Sequence, residues 1–407
     1  MTDDIYSKRS RRKRRKQNNR DSIEISKNFI IIAVVVIILI ITGLYFTRNR
    51  WLPELEKLGI YIGYSNNAQI DENGVLANNG ELAGGNFPLM LSDSSDYQTA
   101  VMNERLVILS DSDFEIYSSA GELIRSKTHT YSNVILKTSA GRSLIYESGG
   151  NKLCVETEKK TVFEKQLDDR IIFARISKEG YTAVVTTSDN YASMLTVYDD
   201  MGNPVYYRDS VDRIIEICFN NDSTGCMVTI MGADSGQIIS NAYEVIFTQE
   251  QPLWTSENIE TLCISSYATT DDGMFIIGDK KCGYYDSGGV FLKGYTYKYS
   301  IITGGFSDDK SAIAFNNEKR RRVSLVLTSG VESNPVEIVV DRNLKYLVAE
   351  SEYVYIMTDN EIIAYDYTGK EAAKAEISDI YNSFLKSGDI IYLIGNNHID
   401  KINFISN

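Results

Sequence analysis

A spaced repeat of tyrosine and glycine constrains this chain more than any other feature. Five times a Tyr ends an apolar run and a Gly follows four residues later, in the strings IYSSAG, IYESGG, VYDDMG, YYDSGG and AYDYTG. Glycine supplies the positive φ that a hairpin turn needs, and Asp or Ser can hydrogen-bond the turn backbone. Each string therefore predicts a β-hairpin turn. The pairs are Tyr117/Gly121, Tyr146/Gly150, Tyr198/Gly202, Tyr285/Gly289 and Tyr365/Gly369.

The spacing of these turns predicts the architecture. Without Tyr146, successive tyrosines are 81, 87 and 80 residues apart, about twice the length of a four-stranded propeller blade. Between them lie short apolar runs of strand length, such as RLVILSD (Arg105–Asp111) and IIYLIG (Ile390–Gly395). We therefore predict an all-β protein whose residues 97–407 form a β-propeller. Eight blades are favoured and seven are the alternative; the eight blades would start near residues 97, 132, 170, 213, 260, 299, 344 and 380.

The last predicted blade contains only three strands before the chain ends at Asn407. A propeller has to close its ring, because closure protects the edges of its sheets. A strand from the N-terminal part must then complete this blade. Gly59–Ser65 (GIYIGYS) and Phe87–Leu91 (FPLML) are the two candidates.

An apolar stretch near the N-terminus predicts a membrane anchor. Phe29–Phe46 (FIIIAVVVIILIITGLYF) has 18 residues without a charge, and a helix of that length spans about 27 Å, close to the hydrocarbon thickness of a bilayer. The stretch ends in GLYFTRNR, without the small residues of a signal-peptidase site. We interpret residues 29–47 as an uncleaved transmembrane signal-anchor helix, residues 1–28 as a disordered cytoplasmic tail and residues 48–96 as a stalk and ring-closing segment.

Basic residues before the apolar stretch predict its orientation. By the positive-inside rule the N-terminus is cytoplasmic, so that the propeller is extracytoplasmic on a single-pass protein of the cell membrane. The tail could do no more than set topology and attract anionic lipid, or it could bind nucleic acid or an acidic cytoplasmic partner. The flanking residues are Lys8, Arg9, Arg11, Arg12, Lys13, Arg14, Arg15 and Lys16.

The charge of the chain is divided unequally between its parts. Of the total of −13, residues 1–28 carry +6 and the rest of the chain carries −19. So acidic a domain would be repelled by phosphates, which argues against nucleic acid as a partner of the propeller.

We find no catalytic motif in the sequence. There is no G-x-S-x-G elbow, P-loop or CxxC, and the two histidines, His129 and His398, are far apart at predicted strand ends. We therefore predict no catalytic residue, no metal and no cofactor. The five cysteines are an odd number. Cys218 and Cys226 flank a predicted turn, and either they form a disulfide across it or they are small apolar residues in strands.

Two sets of residues are candidates for binding. The basic run Lys319, Arg320, Arg321 and Arg322 lies at the predicted hairpin between the second and third strands of the sixth blade. It is either a solvated turn or a contact for an acidic polymer or partner, such as a wall polyanion. First strands line the channel of a propeller, and our alignment places there Arg175, Glu216, Tyr267, Phe306 and Lys386.

The repeats also resemble a known group of folds. The strings EIIAYDYTGKEAAKAEI (Glu361–Ile377) and MLTVYDDMGNPVYYRDS (Met194–Ser210) are similar to blades of quinoprotein-like and WD40-like propellers. Ala364, Asp366, Thr368 and Gly369 approach the tryptophan-docking repeat of quinoproteins, with Ala375 near the position of its Trp. The whole layout is similar to uncharacterised membrane-anchored propeller proteins of Gram-positive bacteria, which implies an envelope location.

From these features we expect a non-enzymatic, membrane-anchored interaction or scaffold module that binds an envelope protein or polymer. The alternative is a small-molecule sensor or a quinoprotein-like enzyme with its site in the central channel.

Overall fold

The computed structural model describes residues 85–91, 96–317, 322–340 and 343–404, together with the backbone of residues 69–70 and 76–77. This part of the chain contains no helix, and so none with the length and apolar character needed to cross a membrane. The predicted tail and anchor lie outside the described residues, as does Gly59–Ser65. Three short strands come first: β1 (Gln69–Ile70), β2 (Leu76–Ala77) and β3 (Leu89–Met90).

The rest of the described chain forms eight antiparallel sheets in succession, as the repeat predicts. Within each blade we label the strands a to d from the innermost outward. Blades 1 and 2 consist of β4 (Tyr97–Met102), β5 (Arg105–Ser110), β6 (Asp113–Tyr117), β7 (Leu123–Thr128), β8 (Val134–Ser139), β9 (Arg142–Glu147), β10 (Lys152–Glu156) and β11 (Thr161–Gln166). Blades 3 and 4 consist of β12 (Ile171–Ile176), β13 (Thr182–Thr186), β14 (Ser193–Tyr198), β15 (Pro204–Ser210), β16 (Arg213–Phe219), β17 (Gly225–Asp234), β18 (Gln237–Ile246) and β19 (Trp254–Thr255).

Blades 5 and 6 consist of β20 (Cys263–Ala268), β21 (Met274–Gly278), β22 (Lys281–Tyr285), β23 (Phe291–Thr296), β24 (Ser300–Ser307), β25 (Lys310–Asn317), β26 (Arg322–Ser329) and β27 (Val336–Val340). Blades 7 and 8 consist of β28 (Tyr346–Ala349), β29 (Tyr353–Met357), β30 (Glu361–Asp366), β31 (Glu371–Glu376), β32 (Tyr381–Ser387), β33 (Ile390–Gly395) and β34 (His398–Asn403). The eight-bladed prediction is confirmed, and the seven-bladed alternative is wrong.

The Tyr-Gly repeat marks the turn between strands c and d in alternate blades. Tyr117, Tyr198 and Tyr285 end strand c of blades 1, 3 and 5, and Tyr365 lies near the end of strand c in blade 7, which is why their spacing is two blades long. In the turn of blade 3 the Asp199 carboxylate accepts hydrogen bonds from the amides of Met201 (3.0 Å) and Asn203 (2.7 Å). Gly202 follows with a φ of +88°. Aspartates in blades 5 and 7 and a serine in blade 1 do the same.

The ring closes with a strand from the N-terminal side. Leu89 and Met90 of β3 pair antiparallel with Ile399 and His398 of β34, so β3 is strand d of blade 8. Phe87–Leu91 was one of the two predicted closing segments, and this prediction is confirmed. Just before it, β1 and β2 extend blade 7, because β2 pairs in parallel with the outer strand β31.

The core is divided among the junctions between blades. Eight clusters of buried apolar side chains are present in the described residues, and each joins two consecutive blades. The cluster between blades 8 and 1 contains Tyr392 and Ile399 on one side and Leu106 and Ile108 on the other. Every blade is therefore stabilised by both neighbours, and the ring has no open junction.

Candidate functional site

The first strands of the blades surround the centre of the ring. Each is the innermost strand of its sheet, and first strands of neighbouring blades contact one another. We call the face with the b-to-c and d-to-a connections the upper face, and the face with the a-to-b and c-to-d turns the lower face. Since every first strand starts at the upper face, its second residue lies at the upper mouth of the channel.

Four consecutive blades, 3 to 6, carry a β-bulge at the second or third residue of strand a. The register between strands a and b slips by one residue, so that one extra residue on strand a has no partner in the ladder. Such bulges re-aim a side chain without ending the strand. In these four blades the extra residue is an isoleucine, whereas the same bulge in blade 8 carries Asn382. We call the four the isoleucine arc: Ile172, Ile215, Ile264 and Ile302.

The isoleucine arc is apolar surface in contact with water. Ile264 is 51% exposed and Ile302 is 46% exposed, whereas Ile172 and Ile215 are half-buried. Tyr346 (38%) begins strand a of blade 7, and Ile380 (49%) directly precedes strand a of blade 8. Six neighbouring blades therefore place a large apolar side chain at one mouth of the channel, and such exposed apolar groupings mark interaction sites.

Acidic side chains border this mouth. Asp168, Asp212, Glu257 and Glu260 are exposed on the connections that lead into the first strands of blades 3, 4 and 5. Arg170 and Arg213 are exposed beside them, so that acidic residues predominate over basic ones here without excluding them. An apolar centre beside this net negative charge favours a partner whose apolar side chains are flanked by basic residues.

Polar side chains lie further along the same strands. A guanidinium nitrogen (Nη2) of Arg175 donates to the Glu216 carboxylate at 2.7 Å, and Nη1 donates to the Ala174 carbonyl at 3.1 Å. Glu216 is buried and also accepts a hydrogen bond from the Ile217 amide at 2.9 Å. This ion pair joins the first strands of blades 3 and 4, as expected for two residues predicted to line the channel.

Lys137 completes the polar group from the first strand of blade 2. Its side chain is accessible to water. Even so, the pKa of Lys137 is lowered from its ordinary value, chiefly by burial and then by the charge of Arg175, an effect that Glu216 partly offsets. An exposed lysine on a first strand fits a position in the channel. It forms no hydrogen bond or ion pair with the residues that the structure describes.

The remaining predicted channel residues form two separate contacts. The rings of Tyr267 and Phe306, from blades 5 and 6, lie 5.4 Å apart between centroids. The Lys386 ammonium lies 5.0 Å from the ring centroid of Tyr355 and donates to the Gly388 carbonyl. The five predicted residues thus lie on the first strands, but only Arg175 and Glu216 form a polar pair.

A cleft opens beside Arg175 on the lower side of the ring. It has a volume of about 290 Å³ between the ends of the first strands of blades 3 and 4. Polar lining residues are Arg175, Ser177, Lys178, Asn220, Asn221 and Ser223, and apolar ones include Ile176 and Phe219. A cleft of this size suits only a small ligand.

The other residues singled out from the sequence lie elsewhere. Arg322 is the first residue of strand c in blade 6 and is exposed. Lys319, Arg320 and Arg321 lie outside the described residues, as do the eight basic residues from Lys8 to Lys16. Their binding roles remain predictions.

The histidines and cysteines have structural positions. His129 contacts the Ser110 carbonyl at 3.0 Å after strand d of blade 1, and His398 lies 3.4 Å from Asp400 at the start of β34.

All five cysteines are free thiols, so the disulfide between Cys218 and Cys226 does not form. These two lie diagonally across one hairpin, since Cys218 is opposite Met227. Burial raises the pKa of the Cys218 thiol to about 12. No group of metal-binding side chains occurs among the described residues.

The isoleucine arc and Lys137 were missed from the sequence. A signal for the arc was present, because Ile171-Ile172, Ile214-Ile215 and Ile301-Ile302 are doublets at the start of a strand. Strict alternation would put two adjacent residues on opposite faces of a sheet. Three such doublets at equivalent positions indicate that the second isoleucine departs from the alternation of the strand.

Comparison with solved structures supports the architecture. BamB from Moraxella catarrhalis is similar with a TM-score of 0.54 at 14% identity, over 78% of this chain and 96% of that one. AztD from Citrobacter koseri (TM-score 0.47, 11% identity, 74% and 91% covered) and Hsv2 from Kluyveromyces lactis (0.46, 11%, 70% and 100%) are more distant. At these identities the likeness to BamB concerns the fold alone. It confirms the resemblance to quinoprotein-like and WD40-like propellers at that level.

No curated protein matches the sequence. Residues 89–404 match one family model, described as a family of unknown function, DUF5711. The match begins at the closing strand β3 and ends just after β34, so that it spans the whole ring of eight blades. The chain therefore belongs to the DUF5711 family.

Proposed function

We propose that the protein is a membrane-anchored, extracytoplasmic propeller that acts as a non-enzymatic interaction module and binds an envelope protein at the upper mouth of its channel. The observation that carries the proposal is the isoleucine arc. Four consecutive blades use the same backbone irregularity to place an isoleucine at this mouth, and two of these, Ile264 and Ile302, are about half exposed. Exposing isoleucine costs folding free energy, about 25 cal/mol for each Å² of apolar surface left in water. A partner that covers the arc would recover this energy.

The border of the mouth supports a protein partner of particular chemistry. The acidic residues on the connections of blades 3 to 5, and the net charge of −19 beyond residue 28, are complementary to a basic partner. They favour a partner surface with apolar side chains at its centre and Lys or Arg around them. Arg322, the first residue of strand c in blade 6, is also at the upper face, and contact of the basic run Lys319–Arg322 with an acidic polymer remains a separate proposal.

Site-specific photo-cross-linking in intact cells tests this function. Cross-linkers at Ile264, Ile302 and Tyr346 probe the upper mouth. Controls at Met201 (71% exposed), Leu253 (56%) and Val290 (60%) probe apolar positions of greater accessibility on the c-to-d turns of the lower face. We expect one discrete protein adduct from the upper positions, and we expect Ile264→Asp combined with Ile302→Asp to abolish it while Val290→Asp does not. Identical adducts from both faces, or an adduct unaffected by the double substitution, would contradict the proposal.

A further inference from the structure

A second cleft lies on the outer flank of the ring, where blades 2 and 3 meet. Its walls come from strand d of blade 2, the connection that follows it, and strands b and c of blade 3. The cleft has a volume of about 330 Å³, which suits one small molecule. The lining residues that matter here are Lys165, Asp168, Asp169, Thr186, Met194 and Tyr198.

A positive charge lies at the lower end of this cleft. The Lys165 ammonium is 4.7 Å from the ring centroid of Tyr198, the residue that ends strand c of blade 3. This cation–π contact holds the ammonium against the wall of the cleft. The side chain is half-buried, and its ammonium forms no hydrogen bond or ion pair with the residues that the structure describes. Its N–H groups are therefore available to a ligand.

Two carboxylates and a buried hydroxyl lie at the upper end. Asp168 and Asp169 follow strand d of blade 2, and the Thr187 amide donates to the carbonyl of the next residue, Arg170, at 2.9 Å. This bond places the connection beside Thr186, which is 2% exposed and whose hydroxyl has no partner in the described part of the chain. The two carboxylates form no hydrogen bond or ion pair there either. A buried hydroxyl without a partner is unfavourable, and a ligand that bonds to it would remove this penalty.

The distance between the two ends requires an elongated ligand. Met194 lies opposite Thr186 in the sheet, and Tyr198 is four residues further along the same strand, which is about 13 Å at 3.3 Å per residue. An anion bound at Lys165 alone would leave the carboxylates unpaired, and a cation beside the carboxylates alone would leave the ammonium unpaired. A molecule with opposite charges at its two ends pairs with both groups.

We infer that this cleft binds a small dipolar molecule, whose carboxylate pairs with Lys165 and whose distal amino group pairs with Asp168 and Asp169. These lining residues carry one positive and two negative charges, so a ligand with one carboxylate and two amino groups balances them. A basic amino acid, or a short peptide that contains one, has this chemistry, and its methylene groups would pack against Met194 and Tyr198. The site is independent of a protein partner at the upper mouth.

Three probes that differ in their charged groups test the site on the full-length protein in detergent. L-Lysine carries charges at both ends, norleucine lacks the distal amino group, and cadaverine lacks the carboxylate. Isothermal titration calorimetry should show saturable binding of lysine, with a Kd at least tenfold lower than that of either analogue, because each analogue loses one charge-assisted contact. Equal binding of the three probes, or no saturable binding of lysine, would overturn the inference.

Substitutions assign the two ends of the ligand. Lys165→Met should abolish the preference for lysine over cadaverine, and Asp169→Asn should reduce the preference for lysine over norleucine. Lys298→Met changes an exposed lysine on an upper connection and should bind lysine like wild type. Thermal unfolding without ligand checks that each variant is folded. Preferences that stay unchanged in both Lys165→Met and Asp169→Asn would place lysine elsewhere and overturn the site. Neither outcome bears on the cross-links at the upper mouth.

Discussion

A buried carboxylate at the outer edge of blade 4 depends on two hydrogen-bond donors. Glu244 is 4% exposed and accepts hydrogen bonds from the Trp254 indole N–H (2.7 Å) and the Asn220 amide (3.3 Å). Burial raises the pKa of Glu244 above its ordinary value of 4.5, although both hydrogen bonds act in the opposite direction. Desolvation of the charged form is therefore the larger effect.

The raised pKa of Glu244 predicts a titration that Trp254 reports. The folded state holds this proton more tightly than the unfolded state, so the contribution of Glu244 to stability is greatest at low pH. It decreases as the pH rises from 4.5 through the folded-state pKa. In a Trp51→Phe background, Trp254 is the single tryptophan, and its fluorescence should titrate with a midpoint above 4.5. Glu244→Gln should remove the transition, and a midpoint at or below 4.5 would contradict the argument.

At the residue scale, the sequence predicts the site only in part. Arg175 and Glu216 could be aligned to the channel because the blade boundaries are regular. Lys137 occupies the fourth position of β8, in the string VILKTS, where a lysine is equally typical of a solvated strand. Only the structure shows that Arg175 and Glu216 pair with each other and that Lys137 forms no ion pair with a described residue. The isoleucine arc depends on bulges, which change the register without a strong mark in the sequence.

Among the elements, the closing strand β3 completes blade 8 and closes the ring with only two residues. Leu89 is half-buried in the cluster between blades 8 and 1, and the adjacent Met90 is 70% exposed. Substitutions at these two positions therefore distinguish what the inward-facing side chain contributes to stability from what the backbone pairing of the strand contributes. Without β3, the outer edge of blade 8 would be unpaired.

This arrangement predicts a large loss of stability for one substitution and a small change for its neighbour. Leu89→Asp should destabilise the protein by about 2–3 kcal/mol, because it removes an apolar contact and places a charge against the cluster. Met90→Asp, on the same two-residue strand, should change the free energy of unfolding by less than about 0.5 kcal/mol. Urea denaturation of both variants measures the difference. Equal losses would mean that the junction does not depend on the side chain of Leu89.

Most elements of the ring could be predicted because their signals are local and repeated. The predicted blade starts lie within three residues of the observed first strands. The exceptions are β1 and β2, which are two residues long and carry no periodic pattern. Their pairing with blade 7 is a contact across roughly 300 residues of sequence. Blade 7 already has four strands of its own, so no missing strand pointed to this pairing, whereas the three-stranded last blade did point to β3.

For the molecule as a whole, our proposal of an anchored propeller makes a prediction about topology. Protease added to intact cells should remove the propeller domain and leave the first 28 residues protected by the membrane. Replacement of the apolar stretch Phe29–Phe46 by a cleavable signal peptide should release a folded propeller into the medium. Epitope tags at either end of the chain and immunoblotting measure both outcomes. A tail digested in intact cells, with the propeller protected, would reverse the proposed orientation.

The closing contact of β3 with β34 also determines when the ring can close during translation. Leu89 emerges from the ribosome about 310 residues before its partner Ile399. At roughly 5–20 residues per second, the two strands are separated by about 15–60 s of translation. By the end of that interval seven blades can have formed, while blade 1 still lacks its neighbour, blade 8. The nascent chain therefore needs its unfinished junction kept from other strands, by delayed collapse or by a chaperone, until its last residues arrive.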